Sequence, residues 1–135
     1  MALDDDVRTF ISTGRNFAAM TTLFGDGSPQ TQVMWVDADA DHVLINTEVH
    51  RAKYKNVQVD PRVTVTVIDA DNPYRYVEVR GRVTGEVGGA EARAHIDTMA
   101  QRYTGKDYVI ANIQTERVML QITPDRVVNN LRRLG

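Results

Sequence analysis

Asn46-Thr47-Glu48-Val49-His50-Arg51-Ala52-Lys53-Tyr54-Lys55-Asn56-Val57 places three cations, Arg51, Lys53 and Lys55, within five residues. A short apolar strand, His42 to Ile45, is predicted just before this stretch. Asp60-Pro61 and a second strand, Arg62 to Asp69, are predicted just after it. The cations therefore fall where a strand ends and a helix begins, and the helix should run to about Val59. It must stop at Asp60, because the residue before a proline avoids the helical region. A helix start offers unpaired backbone N–H groups and the positive end of the helix dipole, so it attracts anions. A guanidinium fork and two ammonium groups in the same turn make phosphate the natural guest. Taken alone, such a charge run is also an ordinary solvated face. The flanking segments decide between the two.

Upstream, Asn16 to Phe24 reads as a strand and Gly25-Asp26-Gly27-Ser28 as a turn. Pro29 opens the next strand, to about Asp37. Gln30, Gln32, Met34 and Val36 share one of its faces, and Thr31, Val33, Trp35 and Asp37 the other. Ala38-Asp39-Ala40-Asp41 turns the chain into His42–Ile45, so the first three strands are expected to form a meander. Before them, Asp4 to Ser12 reads as a helix, with Val7, Phe10 and Ile11 on one stripe and acidic residues at its start.

Downstream, Val63, Val65 and Val67 alternate with Thr64, Thr66 and Ile68, the mark of a strand. Tyr74 to Glu86 is a long strand with Val77, Val79, Gly81 and Val83 inward, and Tyr76, Glu78, Arg80 and Arg82 outward. Gly81 inside it implies a bend or a close approach of backbone or ligand. Gly88-Gly89 leads into a helix from Ala90 to about Tyr103, with Ala92, Ile96, Met99 and Tyr103 at helical spacing. Arg117 to Thr123 is the last strand, and the tail from Asp125, basic at Arg132 and Arg133, is assigned to no element. The fold class is therefore mainly β (α+β), a small barrel of about six antiparallel strands with helices in three of the gaps. The lack of crossover helices between the early strands argues against a doubly wound parallel sheet.

The 135 residues suit one domain, 1–135. A net charge of −2 gives no long-range attraction for nucleic acid. No cysteine is present, which removes disulfides, thiolate metal sites and a thiol nucleophile. No apolar run reaches membrane-span length, and no signal-peptide pattern follows Met1, so the expected compartment is the cytosol. His42, His50 and His95 are scattered, without metal-ligand spacing, and are read as surface or strand-edge residues. Asp4-Asp5-Asp6 is explained by a helix start. No nucleophile–base motif argues for hydrolysis. The remaining chemistry is a phosphate-like turn beside a barrel, with Met34, Trp35, Tyr74 and Tyr76 able to wall a cleft for a cofactor that brings its own reactivity.

Five pieces, in order, resemble the pyridoxamine-phosphate-oxidase-like split β-barrel proteins, and within them the F420-dependent deazaflavin oxidoreductases of actinobacteria. They are Ala18-Ala19-Met20-Thr21-Thr22-Leu23 through Gly27-Ser28-Pro29-Gln30; Val33-Met34-Trp35-Val36-Asp37; and Arg51-Ala52-Lys53 with Lys55-Asn56-Val57 and Asp60-Pro61-Arg62-Val63. Tyr74-Arg75-Tyr76-Val77-Glu78-Val79-Arg80-Gly81 follows, then Arg102-Tyr103-Thr104-Gly105 with Ile122-Thr123-Pro124. The resemblance covers about residues 5 to 128. It implies that Arg51, Ala52 and Lys53 form the phosphate turn, with the two cations on the coenzyme phosphate. It implies that Gln32, Val33, Met34 and Trp35 lie along the tricyclic ring, and that Asn46 and Thr47 border the ribityl chain. It implies a homodimer whose seam completes the site, with Tyr74 and Tyr76 contributed by the other subunit. The family often ends in an aromatic or Gly-rich tail over the cleft, where this chain has Val127-Val128-Asn129-Asn130-Leu131-Arg132-Arg133.

The expected activity is hydride transfer from reduced coenzyme F420 to an unsaturated small molecule, such as an enone or a tetrapyrrole. Tyr76 or solvent would supply the proton. FMN in the same barrel is the alternative, which a yellow, fluorescent preparation would reveal. A non-catalytic coenzyme-binding protein would bind tightly without turnover. A nucleic-acid-binding barrel would show steep salt dependence and has no basic-aromatic face here to support it.

Overall fold

The computed structural model describes residues 2–132. Its elements are α1 (Asp5–Ser12), β1 (Phe17–Leu23), β2 (Pro29–Met34), β3 (Asp37–Ala38), β4 (Val43–Glu48) and α2 (Ala52–Val59). They continue with β5 (Arg62–Ile68), β6 (Tyr76–Val87), α3 (Gly89–Thr104), a single 3-10 turn (Ile110–Asn112) and β7 (Arg117–Asn129). The strands form one seven-stranded sheet in the order β2-β1-β5-β6-β7-β4-β3. Each pairing is antiparallel. Among the described residues the architecture is a split barrel with three α-helices, mainly β as expected, but with seven strands rather than about six.

Period-2 burial fixes the register. Ala18, Met20 and Thr22 on β1, Val63, Val65 and Val67 on β5, and Val77 and Val79 on β6 all face one core, together with Ile45, Leu120 and Ile122. A slip of one residue would expose every one of them. Val7 and Ile11 of α1 pack into the same cluster. Gly81 is buried where β6 passes β7, and a Cβ there would collide with the Thr123 carbonyl. The close backbone approach expected from the sequence is therefore what the glycine serves, beside a register shift between Arg80 and Gly81.

Several expectations are corrected. The first three strands do not form a meander: β2 ends one side of the sheet, while β3 and β4 lie at the other, beyond β7. The strand from Pro29 breaks after Met34, and Trp35-Val36 carries the chain across. Two side chains of α3 make that break. Arg102 donates to the carbonyls of Ser12 and Val36, and the Tyr103 hydroxyl accepts from Val36 N–H and donates to the Asn16 carbonyl. The strand predicted at His42–Ile45 runs on to Glu48, so Asn46 and Thr47 belong to a strand, not a turn. Tyr74 precedes β6, in a turn closed by Arg75 N–H to the Asn72 carbonyl. The unassigned tail continues β7 to Asn129, where Val127 and Val128 pair with Val79 and Glu78. Arg133 lies outside the described residues.

Candidate cofactor site

The end of β4, the start of α2 and the start of β7 meet at the mouth of a cleft of about 320 Å³. Asn46 and Thr47 come from β4, Arg51 and Lys53 from the entry to α2, and Arg117 from β7. The other end is apolar. Val33, Met34 and Trp35 line it from β2 and its break, Ile96 and Met99 from α3, with Phe17 and Tyr108 beside them. Trp35 is fixed by stacking on Tyr103 at 5.2 Å between centroids, with Tyr108 edge-on at 6.3 Å. One end of the cleft therefore suits a flat apolar ring and the other an anion.

The cationic end is built around a buried carboxylate. Glu48 has no exposed surface, and its Oε1 accepts from the backbone N–H groups of Gln114 and Thr115 at 2.7 and 2.8 Å. Its Oε2 lies 3.4 Å from Arg117 and 3.7 Å from Arg51. Burial pushes the Glu48 carboxyl up, but the two N–H bonds and the charges of Arg117 and His50 outweigh it and hold it below the usual range. One negative charge thus faces three positive ones. Lys53 is 7 % exposed. Burial first, then Arg51 and Arg117, lower its pKa to about 8. Among the described residues the buried Thr47 hydroxyl has no hydrogen-bond partner. Buried polar groups are normally paired, so a buried hydroxyl without a partner, in a cleft lined by Arg51, Lys53 and Arg117, describes the space of an oxygen-rich anion.

Of the residues picked from the sequence, the cleft gathers Val33, Met34, Trp35, Asn46, Thr47, Arg51 and Lys53. Ala52 starts α2 without lining the cleft, and Gln32 does not line it either; the Gln32 side-chain oxygen is buried without a partner. Tyr74 and Tyr76 do not line the cleft of their own chain, and Tyr74 is 59 % exposed. Sequence reasoning missed Arg117 and Glu48, because a lone charge at a strand end has no local signature. It also misread His95. That residue lies on α3, partly buried, between Asp37 and Asn46 at 3.0 Å each. By contrast, His42 is an edge residue paired with Asp39, and His50 sits 2.7 Å from the Thr115 hydroxyl. Asp4 stands at the N-cap position of α1 without a side-chain capping bond, and Asp5 and Asp6 lie in its first turn. No helix among the described residues is long and apolar enough to cross a membrane.

A family model for pyridoxamine 5'-phosphate oxidase matches residues 3–130. No curated protein matches the chain. Among solved structures, an F420 reductase shares 28 % identity with a TM-score of 0.79, over 93 % of this chain and 98 % of that one. A conserved hypothetical protein of Mycobacterium tuberculosis shares 24 % identity with a TM-score of 0.74, over 98 % of this chain and 88 % of that one. General Stress Protein 26 of Bacillus anthracis shares 17 % identity with a TM-score of 0.66, over 90 % and 89 %. The last two are likenesses of fold.

Proposed function

The chain belongs to the pyridoxamine 5'-phosphate oxidase family, and from that membership we propose that it is an oxidoreductase whose cleft binds the deazaflavin coenzyme F420. The observation that carries the reading is the unpartnered Thr47 Oγ1 in a cleft lined by the cations Arg51, Lys53 and Arg117. They fit a phosphate, and the Trp35–Met34–Ile96 end fits the ring above it. FMN would satisfy the same cations. The preference for F420 rests on the F420 reductase likeness at 28 % identity.

When bound in its reduced form, the coenzyme supplies a hydride to an unsaturated organic acceptor. The chain's own work is placement and exclusion of water. Arg51, Lys53 and Arg117 neutralise the phosphate. Trp35, held by Tyr103, gives one wall for the ring. A second copy of the chain closes the cleft and brings Tyr74 and Tyr76 to it, and Tyr76 or water delivers the proton that completes reduction.

The test is a parallel titration with F420 and FMN, following the fluorescence of Trp35, the chain's single tryptophan. Tighter binding of F420, followed by acceptor-dependent oxidation of its reduced form, supports the proposal. Equal or tighter FMN binding moves the assignment to a flavin. Tight F420 binding with no turnover on any acceptor makes the protein a carrier.

A further inference from the structure

The three cations of the cleft are not held alike. Arg51 and Lys53 ride on the entry to α2, while Arg117 is gripped by a side-chain network that runs through β4 to α3 and β3. Its Nε donates to Asn46 Oδ1 at 2.9 Å, and its guanidinium lies over the Tyr108 ring at 5.3 Å. The Asn46 amide nitrogen donates to the Ala92 carbonyl at 2.9 Å and faces His95 Nδ1 at 3.0 Å. His95 Nε2 faces Asp37 Oδ2 at 3.0 Å, and Asp37 Oδ1 pairs with Arg102 at 3.2 Å.

The polarity of this chain of contacts is determined by its ends. A backbone carbonyl can only accept and an arginine Nε can only donate. Asn46 therefore has one orientation, with nitrogen toward Ala92 and oxygen toward Arg117. Its second N–H can be satisfied only if His95 Nδ1 carries no proton. His95 is then the neutral tautomer with its proton on Nε2, donated to Asp37. That carboxylate is kept charged: burial raises its pKa, but the His95 bond, the Ala38 N–H and Arg102 hold it below the ordinary range.

We propose that His95 is a positioning residue for anion binding: it locks the Asn46 amide so that the amide oxygen fixes Arg117 in the cleft. Without His95 the amide has one anchor instead of two, and Arg117 turns toward Glu48, its ion-pair partner at 3.4 Å. Glu48 Oε2, which has no hydrogen-bond partner among the described residues, is ready to take it. Ala92 and His95 share one face of α3, so the helix reads out its own docking at the anion site. This inference rests on the proposed function only in that the cleft takes an anion.

The test uses inorganic pyrophosphate as the probe, with His95→Phe and His95→Gln made in the parent chain and in Arg117→Met. Positioning predicts that His95→Phe weakens pyrophosphate about tenfold in the parent, and less than about twofold once Arg117 is gone. His95→Gln, which can accept from Asn46 and donate to Asp37, should restore most of the loss. Equal losses in both backgrounds, or none in the parent, overturn the inference. Where a double variant does not fold, the arginine Nε–H resonance that vanishes in Arg117→Lys serves instead. It should shift and lose exchange protection in His95→Phe but not in His95→Gln; an unmoved resonance overturns the inference. Pyrophosphate results that hold while F420 fails to bind overturn the coenzyme assignment alone.

Discussion

Lys53 and Lys55 stand two positions apart, one buried in the cleft and the other exposed on α2. The difference sets their expected weights. Lys53→Ala should weaken coenzyme binding by about tenfold to a hundredfold, since a charge-assisted bond contributes about 1.5–3 kcal/mol. Arg51→Ala should cost at least as much, through loss of a bidentate fork. Lys55→Ala should change affinity by no more than about twofold. Dissociation constants that stay at the parental value in Arg51→Ala and Lys53→Ala would place the phosphate elsewhere. The lowered pKa of Lys53, about 8, adds a pH signature. Affinity should be level below about pH 7 and fall as pH rises through about 8, where free Lys53 loses its proton. Lys53→Met should flatten that profile. For stability the sign is reversed. The folded pKa lies below the unfolded one, so the cost of the buried charge is fully present below about pH 8 and relieved as pH rises toward 10.5, by up to ~3 kcal/mol. The coenzyme-free protein should therefore gain stability over that window, and Lys53→Met should be more stable than the parent at neutral pH. Arg51 and Lys53 were legible because they crowd one turn. Arg117 and Glu48 were not, because they meet only when β7 pairs with β4.

At the scale of elements, β6 and β7 are held together where Gly81 leaves room for the Thr123 carbonyl. Gly81→Ala should destabilise the protein by about 1–3 kcal/mol through overpacking against backbone that cannot yield, read from the denaturant midpoint. An unchanged midpoint would mean that the ladder shifts freely at this point. Gly85 is the useful contrast, since a Cβ there meets only the end of the Gln121 side chain. The strands were legible where valines alternate, as in Val63–Val67 and Val77–Val79, because period 2 and burial coincide. The break after Met34 was not. Trp35, Val36 and Asp37 continue the alternation, and what ends the strand is Arg102 and Tyr103, far along the chain. The extension of β7 past Pro124 was hidden for the converse reason: a proline reads as a stop, yet the strand resumes pairing with β6 on its far side.

At the scale of the whole molecule, the outer face of the sheet carries an apolar row. Phe17 pairs with Ile68, and Ile68 with Tyr76. Phe17 and Ile68 are exposed large hydrophobics, and Val33, on the next strand, is 70 % exposed. A second copy of the chain is the expected cover, giving a sedimentation mass of about 30 kDa, twice the 15.2 kDa of one chain. Ile68→Asp should yield monomer and, on the proposed function, weaken the coenzyme as well. A parent protein that sediments as one chain at micromolar concentration would overturn both expectations.

The separation of β2 from β3 in the sheet also sets a folding order. β1 with β2 and β5 with β6 are hairpins of neighbouring sequence, whereas Val43 of β4 must find Ile122 of β7. Loop-closure entropy delays such distant pairings. Pulsed hydrogen exchange during refolding should therefore protect the amides of β1 and β5 before those of β4. The cleft, which needs β4 and β7 side by side, would then be the last part of the molecule to exist, and no early intermediate could be rescued by coenzyme.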